Sequence, residues 1–177
     1  MAAKLRLLLR NANVVLELHR RGLWGRVIEP CEFLIARTVI AESMFHVDDV
    51  TGEKEYIDLA PDAAAGRFET VDVDLTGIAA FRARFSRLFL EKMDAGEQEA
   101  LAYMVEVNSE CLISSADAVV WRTLGLLALG EQGVSLEELL VRVGFGAKVD
   151  WQYTKAFREK YTTQGFSERL GGGSLRP

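Results

Sequence analysis

Asp94–Ala118, DAGEQEALAYMVEVNSECLISSADA, has two halves of different character. Ala100, Leu101, Met104 and Val105 recur at helical spacing, so the first half reads as a helix. Cys111-Leu112-Ile113-Ser114 is a short apolar run bounded by polar residues, which suits a buried strand. Glu97 stands at the mouth of the helix, in the row that continues through Leu101 and Met104, and should lean toward the core. Asp117 follows the strand's carboxyl end, where open parallel sheets place their sites.

The preceding chain supplies partners for this strand. Leu5–Leu9 is nearly continuous in leucine and reads as a central strand. The turn Arg10-Asn11-Ala12-Asn13 leads into a helix from Val14 to about Arg21 that Gly22 closes, the opening of a βαβ unit. Phe33–Ala36 is a second strand, and Thr38 can cap the helix that carries Val39, Ile40, Glu42 and Phe45. Residues 46–59 have a Thr51-Gly52 turn between two half-alternating arms, a β-hairpin insertion on the rim of the sheet. Pro61–Gly66 reads as a loop and Phe68–Asp74 as a third core strand. Leu75–Met93 reads as one amphipathic helix with a stripe of Ile78, Phe81, Phe85, Leu88 and Phe89.

Beyond Asp117, Ala118 to about Leu129 continues as helix, and Ser135-Leu136-Glu137-Glu138 is a capping box that opens another. Lys148–Tyr161 is a last mixed helix, and the glycines from Gly165 onward suggest a flexible tail. The fold class expected is a three-layer α/β domain with a mostly parallel central sheet. Its organisation is a domain over residues 1–145, a C-terminal helix over 146–164 packed on it, and a tail over 165–177.

Composition narrows the function classes. With 49% hydrophobic and 27% charged residues the chain can bury a single substantial core. A net charge of −5 argues against a protein that coats nucleic acid, though a local basic rim is compatible with it. Cys31 and Cys111 both lie in or beside apolar segments and read as buried reduced thiols, which points to the cytoplasm. No apolar run is long enough to span a membrane, and Arg6 and Arg10 break the N-terminal one. His19 and His46 lack partners at metal spacing, so zinc is not expected. There is no Gly-x-Ser-x-Gly elbow and no glycine-rich phosphate loop with its lysine.

Four segments each place a polar residue where a sheet-end site could collect it: Asn11, Glu42, Glu97 and Asp117. The carriers are Asn11-Ala12-Asn13-Val14, Val39-Ile40-Ala41-Glu42, Gly96-Glu97-Gln98-Glu99-Ala100-Leu101 and Leu112-Ile113-Ser114-Ser115-Ala116-Asp117. In this order the chain resembles the PIN-domain family, metal-dependent nucleases with an acidic pocket at the carboxyl end of a parallel sheet. The resemblance spans roughly residues 5 to 125. It implies a PIN-like fold and a ribonuclease that uses Mg2+ or Mn2+, with Glu42, Glu97 and Asp117 catalytic and Asn11 completing the metal's ligands. Asn13, Ser114 and Ser115 would tie the strand ends together, and Arg10, Arg20 and Arg37 would contact RNA phosphate. It further implies the toxin half of a toxin–antitoxin pair, with RNA, an antitoxin protein and a second copy of the chain (a homodimer) as partners. Hard cations want oxygen ligands, and a carboxylate cluster relieves its own repulsion by taking one.

The family's first position is an aspartate, and here it is Asn11. An amide oxygen can ligate but carries no charge, which lowers metal affinity and opens a second reading, a catalytically degenerate binding module. Each site residue also has a plainer reading. Glu97 completes a capping box with Asp94, Asp117 can cap the helix after it, Glu42 can pair with Arg37, and Asn11 suits a turn. Glu99, two residues from Glu97, belongs to the surface. The three tryptophans read as packing residues.

Overall fold

The computed structural model describes residues 5–9, 12–41, 44–47, 51–146, 148–172 and 175. Leu7, Leu8 and Leu9 are fully buried, so β1 (Leu5–Leu9) has no solvent-facing side along these residues. A strand of that kind has to sit in the middle of a sheet covered on both faces. It pairs in parallel with β2 (Cys31–Ala36), Leu9 opposite Ile35, and on its other edge with β6 (Leu112–Ser114), Leu9 opposite Ser114. β5 (Phe68–Val71) adds to the far side of β2, giving the order β5-β2-β1-β6, all parallel. β3 (Met44–Val47) and β4 (Lys54–Ile57) form the expected antiparallel hairpin as a separate sheet, but its first arm begins at Met44 and takes Phe45, expected on the preceding helix, into pairing with Tyr56.

Helices flank this sheet, a three-layer α/β architecture. They are α1 (Ala12–Arg20), α2 (Trp24–Ile28), α3 (Arg37–Ala41), α4 (Ala60–Ala64), α5 (Leu75–Ala83), α6 (Arg87–Leu90), α7 (Ala95–Ala102), α8 (Ala118–Leu127), α9 (Leu136–Arg142) and α10 (Lys155–Leu170). α7 continues as a π-helical turn over Tyr103–Val107. Cys31 and Cys111 are buried thiols that form no disulfide with each other, and burial pushes Cys111 up to about 11. Among the described residues no helix is long and apolar enough to cross a membrane.

Several local expectations change. Pro61–Gly66 is not a loop: Pro61 occupies the first turn of α4, where its missing N–H costs nothing. Leu75–Met93 is two helices, because Ser86 accepts a hydrogen bond from the Phe89 N–H and starts α6. The stripe survives the break in Phe81, Phe85 and Phe89, whose rings pack in sequence, but Leu88 is exposed. Arg37, not Thr38, opens α3. Trp24 and Trp121 are packed as anticipated, whereas Trp151 is half-exposed.

The largest correction is at the C-terminus. The helix expected to end near Tyr161 runs to Leu170, so the segment read as a tail from Gly165 is structured through that residue, and Leu175 bridges to Phe85. Gly165 is buried against α8: a Cβ there would collide with the Arg122 carbonyl, and one at Gly125 would collide with the Thr162 carbonyl. The two glycines thus let the helix backbones touch, and Arg122 and Glu168 pair across the contact at 2.7 Å. Glu138 anchors the other half of α10. It closes a capping box with Ser135 and receives both the Nε and the Nη2 of Arg158, at 2.8 and 2.9 Å. Burial alone would raise the Glu138 carboxyl, but the Arg158 and Ser135 hydrogen bonds outweigh it and hold the group below the usual carboxylate range.

Gly165→Ala should destabilise by about 1–3 kcal/mol in urea unfolding, despite alanine's better helix propensity; a gain in stability would contradict the close crossing. Because Glu138 titrates lower folded than unfolded, its contribution is complete above the ordinary value near ~4.3 and fades as pH falls through the lower folded one. Glu138→Gln should therefore cost about 1–2 kcal/mol at neutral pH, with the gap to wild type closing in acid. A gap independent of pH would refute the pairing.

Candidate functional site at the carboxyl edge of the sheet

Parallel pairing places all four strand exits on one edge, about 4.8 Å apart from neighbour to neighbour. In sheet order the segments leaving that edge begin with Asp72 after β5, Arg37 after β2 and Ser115 after β6, and β1 ends there at Leu9. Arg10, Asn11 and Glu42 lie outside the described residues. Arg37 is at the edge, exposed, and 3.5 Å from Asp72.

The two described acids behave differently. Glu97 is almost wholly buried and committed to its capping box: the Asp94 carboxylate accepts its N–H at 2.7 Å, and its own Oε2 accepts the Asp94 N–H at 2.8 Å. The capping box expected of Glu97 is therefore present, and it does not exclude a metal role. Asp117 occupies the N-cap position of α8 in extended conformation, yet its side chain makes no cap hydrogen bond. Its backbone N–H instead goes to the Ser115 hydroxyl at 2.9 Å, and the carboxylate stays half-exposed at the edge. Ser115 thus fixes the turn locally, a different task from the expected one of tying strand ends together. The Ser114 hydroxyl is fully buried at the end of β6 and has no hydrogen-bond partner among the described residues, so there it does not tie strand ends together as expected.

One expected contributor points elsewhere. Arg20 ends α1, which leaves the carboxyl edge and spans nine residues, about 13 Å, toward the opposite edge. Its guanidinium pairs with Glu17 at 2.8 and 2.9 Å, in a cluster that Arg21 joins. That commits Arg20 to fastening α1 rather than to RNA phosphate. Burial would raise Glu17, but hydrogen bonds from Arg20 and Arg21 and their charge bring it below its ordinary value. Asn13 contributes its backbone carbonyl, which accepts the Tyr153 hydroxyl at 3.2 Å. Burial, with Glu17 and Asp150 nearby, pushes that phenol up to about 12.

The residue that the sequence reading missed is Glu99. It is 8% exposed, not on the surface, and its Oε2 accepts the Thr38 hydroxyl at 2.6 Å. This contact fastens α7 to the exit of β2 and explains why Thr38 does not cap α3. Beside it is a cavity of about 340 Å³, lined by Thr38, Gln98 and Glu99 with Val73, Ile78 and Arg82.

Among the described residues no three His, Cys, Asp or Glu side chains come together as a metal-holding group. Of the expected ligand set, Asp117 has a carboxylate unspent on its helix, and Glu97 spends one oxygen, Oε2, on its cap, which does not exclude a metal role. No family model, curated protein or solved structure matches the chain.

Asp94→Ala should cost about 1 kcal/mol through loss of the cap, whereas Asp117→Asn should leave stability within about 0.5 kcal/mol, both read from urea midpoints. Equal losses would mean that Asp117 serves α8 after all.

Proposed function

We propose that this chain is a PIN-like, metal-dependent ribonuclease domain whose working edge is the carboxyl edge of the parallel sheet. The observation that carries the reading is Asp117, an acid at the exit of a strand adjacent to β1 whose carboxylate does not cap the helix it precedes. The buried, unpartnered Ser114 hydroxyl at the same strand end supports it, because a buried hydroxyl without a partner marks a place where something polar is wanted. Asp117, with Asn11 and Glu42, would hold Mg2+ or Mn2+. Bound there, the cation would neutralise phosphoryl charge and supply an activated water. Ser115 fixes the backbone that presents Asp117, and Arg37 offers a guanidinium to phosphate at the same edge.

A second reading, the non-catalytic PIN-like module, is favoured by Asn11, which stands where the family has an aspartate and brings no charge to a cation, and by Glu97, which spends one oxygen on its capping box. It would bind RNA without cutting it. In either reading the exposed Leu75 and Leu88 are surface that a second copy or an antitoxin protein would cover.

Mn2+ at millimolar concentration should raise the melting temperature, and Asp117→Asn should abolish the rise. Labelled single-stranded RNA should be cleaved by the wild-type protein with Mn2+ and not by the variant. A thermal shift without cleavage selects the binding module, and no shift at all contradicts the metal site.

A further inference from the structure

The mechanism above leaves one built feature unused, the cavity beside Glu99. A carboxylate more than nine-tenths buried is costly unless its oxygens are satisfied. Thr38 supplies one hydrogen bond and so fixes how the carboxylate is presented. A carboxylate has about four acceptor sites, so one hydroxyl leaves capacity for further donors. Gln98 is held by donating its side-chain N–H to the Met93 carbonyl at 3.1 Å, which leaves its amide oxygen as another acceptor on the same cavity. The polar end is thus rich in acceptors. Val73 and Ile78 supply apolar wall, and the volume lies within the range of small-ligand pockets, about 300–1,000 Å³.

The rim carries the opposite charge. Arg84 pairs with Glu106 and Arg87 with Glu91, but Arg82 makes no ion pair among the described residues. It stands between this cavity and a neighbouring one of about 700 Å³ that Arg87 also lines. A cationic ligand such as an arginine side chain would suit Glu99 but be repelled at this rim. A ligand with hydrogen-bond donors at one end and an anion at the other suits both.

We propose, resting on the ribonuclease-fold reading above, that this cavity is a guanine-nucleotide subsite beside the working edge. Glu99 accepts the adjacent N1–H and N2–H of the base, and Arg82 holds the phosphate. Guanine is the base that fits, because it alone offers two neighbouring donors. Adenine and cytosine place a ring acceptor beside their amino group, and uracil flanks its single N–H with two carbonyls. Against a buried carboxylate each of these leaves an acceptor facing an acceptor. The site would therefore select the nucleotide bound next to the scissile bond, a specificity determinant apart from the metal ligands.

The test is calorimetric titration of the full chain in EDTA with the 5′-monophosphates of guanosine, adenosine, cytidine and uridine. Guanosine monophosphate should bind roughly tenfold to hundredfold tighter than the others. Glu99→Gln should erase that preference, and Arg82→Glu, on an exposed side chain, should weaken the nucleotide while sparing guanosine. If Glu99→Gln does not fold, the base ranking and Arg82→Glu still decide. Equal binding of all four, no binding at millimolar concentration, or tighter binding of an arginine-bearing peptide would overturn the proposal. Since the titration contains no metal, a failed Mn2+ response leaves its result standing, and a failed titration leaves cleavage untouched.

Discussion

Complete burial of Leu7, Leu8 and Leu9 is the constraint on which the other features depend. A strand with no wet face has to be covered above and below, and a strand flanked on both edges has to pass its neighbours by crossovers. Parallel crossovers return each strand in the same direction. The chain therefore leaves the sheet four times on one edge, and residues far apart in sequence, such as Thr38, Val73 and Asp117, gather there without any direct attraction for one another.

That edge shows why residue type and position do not fix a role. Asp94 and Asp117 both stand at the N-cap of a helix, but only Asp94 caps. At Asp117 the Ser115 hydroxyl accepts the backbone N–H and so fixes the turn, while the carboxylate makes no cap hydrogen bond. Glu97 and Glu99 diverge in the same way. Sharing a turn of α7, one closes the cap and the other reaches Thr38.

The strands and hairpin were legible because burial on both faces leaves continuous leucine, as in β1, and a Thr51-Gly52 turn between two short arms marks a hairpin, even though Phe45, Val47 and Tyr56 on those arms are exposed. Capping boxes were legible because they are local. What escaped was set by distant contacts. Glu99 reads as surface only if α7 has a wet face, but Glu97, Glu99, Ala100, Leu101 and Ala102 are all buried, and a helix enclosed nearly all round carries no useful periodicity. Gly165 reads as a breaker because glycine costs about 1 kcal/mol in a helix. In the fold it is what lets α10 lie against the Arg122 carbonyl, a partner 43 residues away that no local pattern announces. Of the candidate site, Asp117 stands at the strand exit without capping its helix, Ser115 bonds locally, Arg20 turns to Glu17, and the resemblance carried no signal for Glu99.

The account stands on a divalent cation choosing the carboxyl edge. Anomalous diffraction from crystals soaked in Mn2+ measures this directly. The peak should lie within coordination distance of the Asp117 carboxylate and beside the exit of β1. A peak only at surface acids away from that edge, or none, would contradict it.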